Sequence, residues 1–351
     1  MKRRTFLFGA AGATLGASLA KPSILRAAAS DPLQIRLGYQ TLWSSAGEIF
    51  ETLRHTNILA LHGIQADFKP FTFGGPLAEG AVAGAIDNIS AADAPLLRGS
   101  SRLPGTKVLH RSHDFRFAII ARPDFEGGLA DLRGKRLSGP FSTTVFPRSV
   151  QAIVDAGVQD PFKEIRIVNQ DIAEQADSLR GGLVDAVTTW DPTYERLIQQ
   201  KLGKPIWTSS TGQGAGYQGL TCEWLKANGE DGAGRFLKAW TVATWWTSNN
   251  LAQAQGWFAA TSRLDPSLLA AAAAADRHLR APVKDLTAID LVVTPDEIAG
   301  TQKVLDFLVA QKLLANPIDA ASFYDGGPLA RVRKQIAAGD HVDLAKISPV
   351  G

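Results

Sequence analysis

The chain has 351 residues, 37 basic against 34 acidic side chains, one cysteine, and 45% hydrophobic and 20% charged residues. That is the composition of an ordinary globular α/β protein, long enough for two domains. The single Cys222 excludes an internal disulfide framework. Lys2, Arg3, Arg4, Lys21 and Arg26 carry the whole basic excess, and 32 basic residues then face 34 acidic ones. The charge therefore gives no support for nucleic-acid or anionic-membrane binding.

Lys2-Arg3-Arg4-Thr5-Phe6-Leu7-Phe8 is a basic start with a twin arginine. A mildly apolar Gly/Ala-rich stretch runs from Gly9 to Ala20, and Ala27-Ala28-Ala29 offers a small-x-small cleavage site before Ser30. Residues 1–29 read as a signal peptide of the twin-arginine type, which places the mature protein in the periplasm. The apolar part is too short to span a bilayer, as is every other apolar run. No cysteine near the cleavage region suggests a lipid anchor.

Strands and helices then alternate. Gln34 to Tyr39 reads as a strand, followed by the polar loop Gln40-Thr41-Leu42-Trp43-Ser44-Ser45 and a helix from Ala46 to Leu61, stopped near Gly63. Gln65 to Phe71 is a second strand. Thr72-Phe73-Gly74-Gly75-Pro76 is a tight turn into a helix from Leu77 to Ala83, and Ala85 to Ser90 is a third strand. Ala91-Ala92-Asp93-Ala94-Pro95 opens another helix, with strands at Val108–His110 and Phe115–Ile120 beyond it. The pattern restarts with the strand Lys135–Ser138, the small-residue turn Gly139-Pro140-Phe141-Ser142-Thr143-Thr144 and a helix from Val145 to Ala156. Strands at 165–168, 183–187 and 205–207 complete a second, smaller α/β unit. Units at this spacing imply mainly parallel sheets. A Gly-rich return at Thr211–Gly216 precedes a mostly helical remainder, in which Asp265-Pro266 and Thr294-Pro295-Asp296-Glu297 are helix starts.

Several patterns carry less than their letters suggest. Gly214-x-Gly216-x-x-Gly219 matches a dinucleotide fingerprint, but strand-like residues follow where a helix is required. His110-x-x-His113-Asp114 lacks the further ligands a metal needs and reads as solvated loop. Phe236, Trp240, Trp245 and Trp246 share one helix and read as core. No nucleophile-elbow, Walker or zinc-protease pattern occurs. In Leu183–Tyr194 an apolar strand ends in Trp190-Asp191 before Pro192. Ligands of open α/β sheets sit just beyond such carboxyl ends. Taken alone, the segment fits at least as well a strand-to-helix corner whose Trp covers the core.

Five blocks in order resemble the nitrate/sulfonate/taurine-type solute-binding proteins of ABC importers, a superfamily that includes the thiamine-pyrimidine binders. They are Ile35-Arg36-Leu37-Gly38-Tyr39-Gln40, Phe73-Gly74-Gly75-Pro76-Leu77-Ala78-Glu79-Gly80, Gly84-Ala85-Ile86-Asp87, Leu132-Arg133-Gly134-Lys135-Arg136-Leu137 and Gly182-Leu183-Val184-Asp185-Ala186-Val187-Thr188-Thr189-Trp190-Asp191-Pro192. The resemblance covers roughly residues 33 to 210. It implies a two-lobed, type II-like binding protein closing like a clamshell, with crossover strands near Phe117–Ala121 and Tyr217–Thr221. Lobe 1 would comprise 30–118 plus 218–351, and lobe 2 would comprise 119–217.

Helix N-termini at the turns before Leu77, Pro95 and Val145 would face a solute, and small residues would let backbone approach it. The candidate ligand-binding residues are Gln40, Thr41, Trp43, Gly75, Pro76, Asp93, Ser142, Thr143, Thr144, Trp190 and Asp191. No catalytic residue, metal or cofactor is expected. Gly74-Gly75-Pro76 stands where the family carries Ser-Gly, and an unpaired Asp93 would disfavour a second anion. Both departures weigh against an inorganic anion or simple alkanesulfonate and leave a larger organic or zwitterionic solute open. The expected partners are a small-molecule solute and an ABC permease with its ATPase, with no nucleic acid, and the expected state is a monomer. An enzyme on the same fold is the alternative. The pyrimidine-synthesising relatives use a cysteine-rich segment, a histidine and a lysine-bound cofactor, which one cysteine and an export signal argue against. A sensory binding protein is the third reading.

Overall fold

The computed structural model describes residues 31–210 and 213–350. The export signal read over residues 1–29 and Thr211-Gly212 of the Gly-rich return lie outside the described residues. In chain order the first lobe contains β1 (Leu33–Gln40), α1 (Ala46–His55), α2 (Ile58–Leu61), β2 (Ile64–Phe71), α3 (Gly74–Val82), β3 (Asn88–Ala92), α4 (Asp93–Ser100) and β4 (Lys107–Asp114). The second contains β5 (Phe117–Ala121), β6 (Arg136–Gly139), α5 (Val145–Asp155), α6 (Pro161–Glu164), β7 (Arg166–Asn169), α7 (Gln175–Arg180), β8 (Ala186–Trp190), α8 (Thr193–Gln199) and β9 (Lys204–Thr208). The chain returns through β10 (Ala215–Leu220) to α9 (Cys222–Asn249), α10 (Leu251–Ser262), α11 (Pro266–Ala273), α12 (Pro295–Ala310) and α13 (Gly327–Ala337).

The second lobe is one sheet in the order β7-β6-β8-β5-β9, and the first carries the pair β1-β2 and the three-stranded sheet β3-β10-β4. β1 and β3 are joined by the Asn88 side chain and one backbone bond rather than a ladder. Gly38 N–H donates to Asn88 Oδ1 at 2.7 Å, Asn88 Nδ2 returns a bond to the Gly38 carbonyl at 3.1 Å, and Asp87 N–H reaches the Arg36 carbonyl at 2.8 Å. Bridged this way, the first lobe runs β2-β1-β3-β10-β4, the same plan as the second. The likeness extends to single residues. Asp87 accepts from the backbone N–H and guanidinium of Arg36, and Asp185 does the same for Arg136. Each Gly-x-(Ile/Val)-Asp block is thus a clamp, tying β1 to the start of β3 in the first lobe and β6 to the start of β8 in the second.

The sheets are mixed rather than mainly parallel. β1-β2, β6-β7 and β6-β8 are parallel, whereas β10 runs antiparallel to β3 and β4, and β5 antiparallel to β8 and β9. A strand that passes directly from one sheet to the other enters its new sheet in the opposite sense, with no helix to turn it round. The crossings fall at Phe115-Arg116, just before the expected Phe117–Ala121, and between Thr208 and Ala215, several residues before the expected Tyr217–Thr221.

Other differences have local causes. The helix expected over Ala46–Leu61 breaks at Thr56, whose extended backbone bridges Pro349 while Asn57 N–H donates to the Ser348 carbonyl. α3 begins at Gly74 rather than Leu77. His110 and His113 are not loop residues. Both are buried in β4, and burial lowers their pKa to about 4 and about 3. A strand covered on both faces loses the alternation that marks a half-exposed one. The Gly-rich fingerprint lies at β10, where a Cβ on Gly216 would stand 2.0 Å from the His113 ring. The aromatic stripe of α9 does enter the main core, where Trp240 packs on Phe50 and Phe236.

Candidate functional site

A separate apolar cluster forms where the lobes meet. It joins Trp43, Phe73, Ala92 and Phe115 of the first lobe to Phe117, Val145 and Trp190 of the second. Within it is a cavity of about 20 Å³, lined by Gln40, Trp43, Gly74, Ala92, Pro95, Phe115, Thr143, Thr144, Val145 and Trp190. That is room for about one water molecule, so the lobes are closed on each other here.

The local sequence explains this convergence. Gln40 is the last residue of β1 and Trp190 the last of β8, both carboxyl-end positions; the first-lobe counterpart of Trp190 is Ala92, the last residue of β3. Trp43 lies in the turn before α1, Gly74 opens α3, Ala92 caps α4, and Thr143-Thr144 lead into α5. Gln40 is oriented by its own bond, Nε2 donating to the Ser90 carbonyl at 2.9 Å. Trp43 packs edge-on against His113 and Phe115, with centroids 4.2 and 5.2 Å away. Trp190 Nε1 donates across the junction to the Leu42 carbonyl at 3.0 Å.

Asp93 stands just outside the lining, buried at the first position of α4. Its Oδ1 accepts from Ala94 N–H at 2.7 Å and from the Thr144 hydroxyl. Its Oδ2 accepts from Arg148 of α5 at 2.8 Å and from the Thr301 hydroxyl of α12 at 3.3 Å. Asp93 is therefore not unpaired, the condition under which it would disfavour a second anion: a cation from the opposite lobe balances it.

Of the expected site residues, the structure brings Gln40, Trp43, Thr143, Thr144 and Trp190 around one cavity. Gly75 and Ser142 meet beside it, where a Cβ on Gly75 would lie 2.2 Å from Ser142 Oγ. Three others stand outside the lining. Thr41 bonds to the Phe71 carbonyl through N–H and hydroxyl, and Pro76 is exposed on α3. Asp191 is buried against Arg116, which also pairs with Glu195 and stacks over Tyr194. Burial raises the Asp191 pKa to about 7 against the opposing pull of Arg116. Sequence reasoning missed Arg148, which follows Thr144 by one helical turn and so shares its face. A larger cleft of about 780 Å³ between α5 and α12, lined by Phe117, Arg148, Trp207 and Lys303, touches none of the expected residues.

This two-lobed α/β architecture is that of the periplasmic solute-binding proteins of ABC importers. Among solved structures, the chain is similar to the alkanesulfonate-binding protein SsuA of Xanthomonas axonopodis pv. citri bound to MOPS, at 18% identity and TM-score 0.66 over 84% of this chain and 99% of that one. It is similar to the nitrate-binding protein NrtA of Synechocystis PCC 6803, at 13% identity and TM-score 0.67 over 89% and 92%. The fold is shared with an enzyme, the desulfurization enzyme DszB, at 14% identity and TM-score 0.58 over 86% and 99%. No protein-family model matches the chain, and no curated protein matches it in sequence.

Proposed function

We propose that this protein is the extracytoplasmic solute-binding component of an ABC importer, which closes its two lobes on a small organic solute and hands it to a permease and its ATPase. The observation that carries this reading is the inter-lobe cavity, to which carboxyl-side strand ends and loops of both lobes contribute: Gln40 and Trp43 from one, Thr143, Thr144 and Trp190 from the other. A solute touching both lobes binds the closed form better than the open one and shifts the population toward closure. Gly75 and Ser142 form the rim of this site in our reading. Residues up to Phe115 together with those from Ala215 onward move as one lobe, and Phe117 to Thr208 as the other. The protein works as a monomer in the periplasm after cleavage near Ala29/Ser30. N-terminal sequencing of the periplasmic fraction tests that export, and an intact Met1 there would refute cleavage.

The second reading, an enzyme, has the fold of DszB in its favour. Against it, the cavity lining offers amide, hydroxyl and indole groups, and Cys222 lines a different cleft, beside Arg36 and Asp87. The deciding experiment is mass spectrometry of the compound released from purified protein, followed by its titration back with small-angle scattering. Transport binding predicts compaction, a raised melting temperature and recovery of the compound unchanged. Turnover, or tight binding without compaction, would overturn it.

A further inference from the structure

The cleft between α5 and α12 is separate from the strand-end cavity. That cavity has room for about one water, whereas the cleft, about 780 Å³, is in the size range of small-molecule sites. One wall belongs to the second lobe, where Phe117 and Trp207 pack with ring centroids 5.6 Å apart. The other is α12, which presents Val304 and Phe307 and is held in the first lobe's core by Leu305 and Leu308. Small residues keep the space open: Ala152 on α5 and Gly300 on α12. Gly300 lies inside its helix, where glycine is weaker than alanine, and a Cβ built there would meet nothing within 4 Å. Three lining side chains carry charge. Arg148 donates to Asp93 at 2.8 Å, and Asp155 accepts from Gln151 of its own helix at 2.8 Å. Lys303, exposed on α12, makes neither an ion pair nor a hydrogen bond among the described residues.

We propose that this cleft is a second binding site, for an amphiphilic organic monoanion. The apolar body of the ligand leaves water between Phe117 and Trp207 on one side and Val304 and Phe307 on the other. Its anionic head pairs with the Lys303 ammonium, whose long apolar stem lets it follow the head group. A cationic head meets Lys303 as a like charge. Because the walls belong to both lobes, a ligand touching both binds the closed form better than the open one. Arg148 lines the cleft and also pairs with Asp93 across the lobe junction, so the site adjoins the polar contacts between the lobes.

The test titrates octanoate, hexanoate and octylammonium calorimetrically into wild type, Gly300→Trp, Gly300→Ala and Lys303→Glu. Each buried CH2 tightens binding by up to about fourfold, so octanoate should bind wild type roughly tenfold more tightly than hexanoate. It should bind about fivefold or more tightly than octylammonium, the size of one exposed ion pair. Lys303→Glu should reverse that order. Gly300→Trp fills the cleft and should weaken octanoate at least tenfold, while Gly300→Ala, which leaves the space open, keeps the wild-type affinity. Urea melts of the variants separate a blocked cleft from a damaged fold, and the exposed Lys303→Glu tests the charge whether or not the tryptophan is accepted. The proposal is overturned if octanoate shows no binding at millimolar concentration, if octylammonium binds wild type equally well, or if Gly300→Trp binds octanoate as wild type does. Octanoate binding that survives Gly300→Trp but is lost in Trp190→Ala would put the ligand in the strand-end cavity, and the second site falls while the solute-binding reading stands.

Discussion

Gly75 is the position where closure can be opposed without touching the fold of either lobe. It is the second residue of α3, and a Cβ built on it would lie 2.2 Å from Ser142 Oγ, 2.9 Å from Ser142 Cβ and 3.0 Å from Phe73 Cε2. The hydroxyl can rotate away, but Ser142 Cβ moves only with its backbone, which belongs to the opposite lobe. Gly75→Ala therefore overpacks the closed form most, since the contacts with Ser142 exist only there, while the 3.0 Å approach to the Phe73 ring edge is relieved by a small ring shift in either form. Overpacking costs about 1–3 kcal/mol, which lowers the closed-to-open ratio roughly 5- to 150-fold. The same substitution favours α3 by about 0.5–1 kcal/mol, since alanine suits a helix better than glycine. The two effects have opposite signs in two assays. Small-angle scattering should give a larger radius of gyration for Gly75→Ala than for wild type, while urea denaturation shows undiminished stability of the first lobe. Adding Ser142→Gly removes both contacts of the opposing side chain and should restore compaction. Identical scattering of wild type and Gly75→Ala, or a double variant that stays expanded, would refute the reasoning.

Glu48 predicts a pH dependence. It is fully buried, with Oε1 accepting from Ser44 at 2.9 Å and Oε2 without a partner among the described residues, and burial raises its pKa from 4.5 to about 7. The native state keeps a proton that the unfolded chain releases, so this stabilisation is complete below about pH 4.5 and is lost as pH rises through about 7. The swing is on the order of 3 kcal/mol, and Glu48→Gln should flatten it in urea melts at pH 5 and 8; an unchanged slope contradicts the assignment. Trp190→Phe removes the bond to the Leu42 carbonyl and should weaken closure by about 1 kcal/mol, with Trp190→Ala and Trp43→Ala weakening solute binding by that much or more. Normal binding by both alanine variants, with the fold intact, would exclude these indoles from the site. Asp87→Asn and Asp185→Asn should each lower the urea midpoint, and additively, because the clamps sit in different sheets; marked coupling between them would show that the lobes unfold as one.

The fold was legible wherever local chemistry and tertiary role agreed. β1, β2 and α12 lie within a few residues of their expected bounds, because alternation and a capping box are local signals. β4 was cut short at His110 because its later residues, Arg111 to Asp114, are polar and yet buried. Arg111 there pairs with Asp114 and Glu297, a network invisible to hydropathy. The strand sense was missed because it depends on which sheet a crossover strand enters, and no periodicity records that. In the site, the residues at strand ends and helix starts could be placed from sequence, since position in an α/β unit dictates their direction. Asp191 is one residue past the end of β8 but turns to Arg116. That partner is remote in sequence, and the strand-end rule does not reveal it.

The two lobes hold themselves together differently from the way they hold each other. Within each lobe, an aspartate clamp ties two strands, β1 to the start of β3 and β6 to the start of β8, with a backbone N–H and a guanidinium on the same carboxylate. Between the lobes, the polar bonds around the cavity are few: Arg148 and Thr144 to Asp93, Ala94 N–H to Thr144, and Trp190 to Leu42. At about 1 kcal/mol net for each ordinary bond, and somewhat more for the charged one, they total several kcal/mol. Moving a two-state equilibrium from nearly all open to nearly all closed takes about 5.5 kcal/mol. The inter-lobe bonds are of that same size, so under the proposed clamshell mechanism the balance between open and closed would lie within reach of one small molecule. The intra-lobe clamps, which stay made in both states, keep the lobes rigid while it shifts.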